Sequence, residues 1–137
     1  MQGAAGAAGP DLLSGGMFLP SRLPRTLRAA AYLACVGVLL WLSLAPQSEL
    51  PKANLSDKFE HTVAYMVLTA AGLSLFPKHP RVIIGGAFAF GVMIEVLQAA
   101  MGFGRQGDWR DVAANSLGIV LVATPVLLWR RWAAVRA

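Results

Sequence analysis

Apolar positions gather in four long stretches, about Leu27–Ala45, Phe59–Phe76, Val82–Met101 and Val112–Trp129, divided by short segments that carry proline, glycine and charge. Each stretch holds 18–20 residues. About 20 residues at ~1.5 Å per residue are needed to cross ~30 Å of hydrocarbon as a helix. In lipid the backbone must satisfy its own hydrogen bonds, which runs of this length do as helices. The pattern therefore predicts an all-α protein, a four-transmembrane-helix antiparallel bundle, with helices over about 27–45, 58–76, 82–101 and 110–129 in one domain spanning 25–137. Pro125 is expected to kink the fourth helix near its end. Residues 1–24 are rich in Gly, Ala and Pro and are expected to form a disordered tail, with Met17 as an alternative start of translation.

Polar residues inside these stretches recur at helical spacing. Asp57, His61 and Tyr65 (i, i+4, i+8) drift by only about 80° and share one helix face. Glu95 and Gln98 (i, i+3) do the same in the third stretch, and Asp111, Asn115 and Gly118 (i, i+4, i+7) in the fourth. One polar face on each of three apolar helices points to a single shared site. A charged group at the bilayer centre costs about 2.5–3.5 kcal/mol or more, so Glu95 is expected to face protein, with Arg105, His61 and Asn115 as its partners.

Composition supports the membrane reading. Hydrophobic residues make up 56% of the chain and charged ones 14%, with a mean hydropathy of +0.57; soluble domains carry roughly 25% charged residues. The sequence pI near 10.2 does not indicate a nucleic-acid partner, because the basic residues sit in short clusters between apolar stretches and not in an aromatic-interleaved patch. Their distribution is a topology signal. Arg22, Arg25, Arg28, Lys78, Arg81, Arg130, Arg131 and Arg136 fall at one end of the bundle, and Lys52, Lys58, Arg105 and Arg110 at the other. The richer end is expected to be cytoplasmic, with both termini inside. The polar cluster, including Lys58, Arg105 and Asp108, then belongs to the outer leaflet. Trp129 and Trp132 at the inner edge and Trp109 at the outer edge fit interfacial belts. Ala87 with Gly91, and Ala114 with Gly118, are small-residue pairs that let helices approach closely. The first stretch, with its basic lead and Ser43-Leu44-Ala45, also has the look of a signal peptide; its length favours a retained helix. Cys35 stands alone in an apolar run, so the chain forms no internal disulfide.

Structural roles compete for the same residues. Asp57 with Glu60 resembles a capping box, and Asp108 suits a helix cap. Tyr65 is equally at home as an interfacial aromatic, Glu95 with Arg105 as an ion pair, Gln98 as an interhelical hydrogen bond, and Gly118 as a packing contact. His79 lies in a short charged loop. A metal held by one histidine and carboxylates is chemically possible, but only His61 is available and no H-E-x-x-H or cysteine pair occurs, so no metal or other cofactor is expected.

The elements Ser43-Leu44-Ala45-Pro46, Leu50-Pro51, Asp57-Lys58-x-x-His61-x-x-Ala64-Tyr65, Glu95-x-x-Gln98 and Arg105-x-x-Asp108-x-x-Asp111-x-x-x-Asn115-x-x-Gly118, in this order, resemble the VanZ-like family of bacterial membrane proteins. The resemblance covers about residues 41–118. It implies a small multi-pass protein of the bacterial cytoplasmic (inner) membrane and cell envelope, in a family whose founding member is associated with teicoplanin resistance. It supplies no reaction. Three functions follow as expectations. The first is binding or modulating an anionic lipid or lipid-linked cell-wall intermediate, with outward helix N-termini and Lys58, Arg105 and Arg110 meeting phosphate. The carboxylates of the cluster favour a ligand that also carries hydroxyl or amine groups. The second is an intramembrane enzyme using His61 with Asp57 or Glu95, for which no nucleophile motif is present. The third is a structural accessory subunit of the membrane.

Overall fold

The computed structural model describes residues 23–46, 56–101 and 107–136. The expected tail, the alternative start at Met17, Leu50-Pro51, Lys52 and Arg105 lie outside the described residues, apart from Leu23 and Pro24 at the end of the tail. Four helices make up the fold: α1 (Arg25–Leu44), α2 (Asp57–Leu75), α3 (Pro80–Met101) and α4 (Trp109–Arg136), with no strand among the described residues. Three of them, α1, α3 and α4, are long and apolar enough to cross a membrane. α2 is not among these, and its first turn carries Asp57, Lys58 and Glu60.

Like α3, α2 packs against each of the other three helices. Its buried face runs Tyr65, Leu68, Thr69, Gly72 and Leu73. Tyr65 and Leu68 join Ala87 of α3 and Ile119 of α4 in one core, and Leu73 joins Ile83 and Ala123 in a second, nearer the opposite end. α1 covers the first core with Tyr32, Cys35, Val36 and Leu39, an i, i+3, i+4, i+7 stripe, while Leu33, Val38 and Trp41 on its other side are exposed. Such an apolar outer surface suits hydrocarbon and not water.

Helices consecutive in the chain run antiparallel, as the sequence leads one to expect. The most extensive interface, however, joins α2 to α4, which run parallel. They meet along their whole shared length: Lys58 meets Asp111, His61 meets Asn115, and the Leu73 carbonyl meets Arg130. Gly118 makes this possible, since a Cβ there would run into the Thr62 carbonyl and the Met66 amide of α2. The chain continues helically through Pro125 to Arg136, several residues past the expected end.

At the end opposite the polar cluster, two arginines receive the last carbonyls of α2, which lack intrahelical partners. Arg28 of α1 donates through Nη1 to the Leu75 carbonyl at 3.0 Å and lies over the Phe76 ring. Arg130 of α4 donates through Nη1 to Pro77 (2.9 Å) and through Nη2 to Leu73 (3.2 Å). α1 is thereby anchored at both ends, because Gln98 of α3 donates to the Ser43 carbonyl at 2.8 Å near its other terminus.

Candidate functional site

The polar faces of α2, α3 and α4 do converge, at the end of the bundle where α2 and α4 begin. Ser56 caps α2 by accepting from the Phe59 amide, so the Asp57–Glu60 capping box expected from sequence does not form, and Asp57 is left free to use its carboxylate elsewhere. Asp108 caps α4 as expected, its Oδ1 accepting from the Arg110 amide at 2.9 Å. That bond, and next the Lys58 ammonium, hold the Asp108 carboxyl below its ordinary range.

Three layers follow inward. In the outermost, the Lys58 ammonium donates to Asp57 Oδ2 (3.2 Å), Asp108 Oδ2 (3.0 Å) and Asp111 Oδ1. One turn deeper stands His61. Its Nδ1 lies 3.0 Å from Asn115 Oδ1 of α4; an amide oxygen only accepts, so the ring proton resides on Nδ1. The other nitrogen, Nε2, faces Asp57 Oδ1 at 3.8 Å and Asp111 Oδ2 at 3.9 Å, beyond hydrogen-bond length. Thr62, beside it, donates to the Lys58 carbonyl of its own helix and lies 3.2 Å from the Ala114 carbonyl of α4.

Glu95 reaches this layer from α3. Its Oε2 accepts from the Asp108 amide at 3.1 Å, and its carboxyl is within electrostatic reach of Asp111, His61 and Lys58. The described partner of Glu95 is thus a backbone N–H at the start of α4, a kind of partner that side-chain pattern cannot reveal. Gly107 permits this approach, because a Cβ there would stand 2.6 Å from the Glu95 carbonyl oxygen.

The innermost layer is Tyr65, Asn115 and Gly91. A Cβ on Gly91 would lie 3.2 Å from both Asn115 Nδ2 and the Tyr65 hydroxyl, so glycine leaves room for the two groups to converge. Tyr65 is 1% exposed, Asn115 2% and Glu95 6%. Tyr65 Oη, Asn115 Nδ2 and Glu95 Oε1 have no hydrogen-bond partner among the described residues. Buried polar atoms are otherwise nearly always paired.

The sequence-derived candidates therefore divide. Asp57, Lys58, His61, Tyr65, Glu95, Asp108, Asp111 and Asn115 come together. Gln98 does not join them, since its amide serves α1, and Arg110 is exposed beside Trp109. Thr62 and Gly107 were not among the candidates, and Gly91 was, with Ala87, only as a packing pair. Thr62 carries a hydroxyl that helices often turn to their own backbone, and the glycines act through the space they leave.

Four packed helices, three of them suited to hydrocarbon, enclosing a layered polar cluster at one end, define a membrane-embedded helical protein. No family model, curated protein or solved structure matches the chain.

Proposed function

We propose that this chain is a VanZ-like protein of the bacterial cytoplasmic membrane, with four spans and both termini inside. Its polar chamber binds the headgroup of an anionic lipid or lipid-linked envelope component from the extracytoplasmic side. The observation that carries the binding reading is the trio of unpartnered atoms, Tyr65 Oη, Asn115 Nδ2 and Glu95 Oε1, brought together by three different helices. Leaving such groups unpaired costs about 1–3 kcal/mol each, a cost that a ligand pairing them would remove. Two donors beside an acceptor suit hydroxyl or amine groups on the headgroup, while the N-termini of α2 and α4 and the exposed Arg110 favour its phosphate.

The orientation is supported by charge. Among the described residues, Arg25, Arg28, Lys78, Arg81, Arg130, Arg131 and Arg136 lie at the far end, and Lys58 and Arg110 at the site end. The family reading is supported by the way its motif elements pair: Asp57-Lys58-x-x-His61 meets Asp111-x-x-x-Asn115 residue by residue across α2 and α4.

Native mass spectrometry of the protein extracted from membranes provides the test. The wild type should retain an anionic or polyprenyl-linked lipid, and Tyr65→Phe should lose most of it while keeping its helical content. Equal retention by Tyr65→Phe, or a wild type that carries no such lipid, would overturn the binding reading.

A further inference from the structure

We propose that Asp57, His61 and Asp111 form a binding site for a divalent transition-metal ion of the zinc type, held by His61 Nε2 and one oxygen of each carboxylate.

The division of oxygens is the first argument. Lys58 takes Oδ2 of Asp57 and Oδ1 of Asp111. The opposite oxygens, Asp57 Oδ1 and Asp111 Oδ2, are the ones that face His61 Nε2, at 3.8 and 3.9 Å. The ammonium therefore steers both carboxylates toward the imidazole without using the atoms a metal would need. Three ligand atoms, one from each residue, lie within 4.8 Å of one another. A zinc ion about 2.0–2.2 Å from each ligand sets such atoms roughly 3–4 Å apart, so small side-chain rotations close the triad.

Protonation is the second. With Nδ1 turned to the Asn115 amide oxygen, His61 points Nε2 at the two carboxylates. Nε2 and the two carboxylates together favour a cation between them, whether a ring proton or a metal ion. A metal-binding histidine is usually oriented by a hydrogen bond from its other ring nitrogen to an acceptor. Asn115, 2% exposed, supplies it from the neighbouring helix.

Charge is the third. Asp57, Asp108 and Asp111 all contact the single ammonium of Lys58, so carboxylates outnumber that ammonium and favour a further cation. Glu95 adds the independent sign of a ligand. It is 6% exposed, is tethered to the amide of Asp108 in this same layer, and keeps Oε1 unpartnered among the described residues. A fourth position of the ion, open to water or to Glu95, completes tetrahedral coordination. One imidazole with carboxylates selects zinc, manganese or cobalt over magnesium and calcium, which prefer all-oxygen shells.

This inference shares the unpartnered Glu95 Oε1 with the lipid reading but is tested separately, since metal binding is measured without any lipid. Tag-free protein in detergent, stripped with chelator, is titrated with Zn2+ and with Mg2+ by calorimetry, and with Co2+ by visible absorption. One Zn2+ per chain should bind in the micromolar range or tighter, far more tightly than Mg2+, and Co2+ should develop ligand-field bands. His61→Ala should abolish both signals, His79→Ala should leave them intact, and Asn115→Ala should weaken binding by about 10–100-fold. Should His61→Ala fail to fold, histidine nitrogen NMR of the wild type decides: zinc must shift the His61 Nε2 resonance while Nδ1 stays protonated. Zinc affinity unchanged in folded His61→Ala, zinc no tighter than magnesium, or an unmoved Nε2 resonance would each overturn the proposal.

Discussion

His61 and Asn115 meet 3.0 Å apart across the parallel pair α2 and α4, and this contact ties the two halves of the polar cluster together. Each residue lies one turn from a carboxylate of its own helix, His61 from Asp57 and Asn115 from Asp111. The pairing therefore fixes the register of the whole site. It depends on two helices approaching closely enough for short side chains to touch, which Gly118 allows one further turn along.

Gly118→Ala should accordingly be costly. The new methyl would collide with the Thr62 carbonyl and the Met66 amide, backbone atoms that move only with their helix. Overpacking of this kind costs about 1–3 kcal/mol, and thermal unfolding in detergent should register it. Gly37→Ala is the comparison: a Cβ there meets nothing within 4 Å, so stability should be unchanged or slightly raised.

Tyr65→Phe should separate stability from binding. The hydroxyl has no partner among the described residues, so its removal relieves a buried unpaired group and should leave the ligand-free protein as stable as wild type or more so. Unfolding of delipidated protein should find no loss, in contrast to the expected loss of retained lipid.

Arg130→Ala should loosen the far end of the bundle. Its guanidinium bridges α4 to the Leu73 carbonyl of α2 and the Pro77 carbonyl just beyond it, and hydrogen bonds from a charged donor contribute about 1.5–3 kcal/mol. Partial exposure puts the loss toward the lower figure. Arg130→Lys should recover only part of it, since an ammonium cannot reproduce the forked geometry. Hydrogen exchange at Phe76 and His79 should accelerate in both variants.

Asp108 should contribute a pH-dependent term. Its carboxyl is held below its ordinary value near 3.8, first by the Arg110 amide and then by Lys58. A group whose pKa is lowered by folding stabilises the protein fully above its unfolded value and loses that contribution as pH falls through the folded one. The difference in melting temperature between wild type and Asp108→Asn should therefore be constant near neutrality and shrink progressively below about pH 4. A difference that instead grew on acidification would contradict this sign.

Much of this arrangement was legible in the sequence. Hydropathy runs located four helices because a helix in an apolar environment is a local property, fixed by run length and backbone self-satisfaction. Periodicity placed Asp57, His61 and Tyr65 on one face and Asp111 with Asn115 on another for the same reason. Ser56, not Asp57, became the cap of α2, a shift of one residue that local pattern left open and that freed Asp57 for the cluster.

Partner choice was decided only by the tertiary structure. Whether Glu95 meets a side chain or the Asp108 amide, and whether Gln98 faces the cluster or the Ser43 carbonyl, depends on distances across helices. So does the choice of a parallel neighbour for α2. Those distances are set by where a missing Cβ lets backbones approach, at Gly91, Gly107 and Gly118. Glycine carries no chemistry that a pattern of polar residues can register. The chain thus specified which residues must leave the lipid, while packing determined which of them meet.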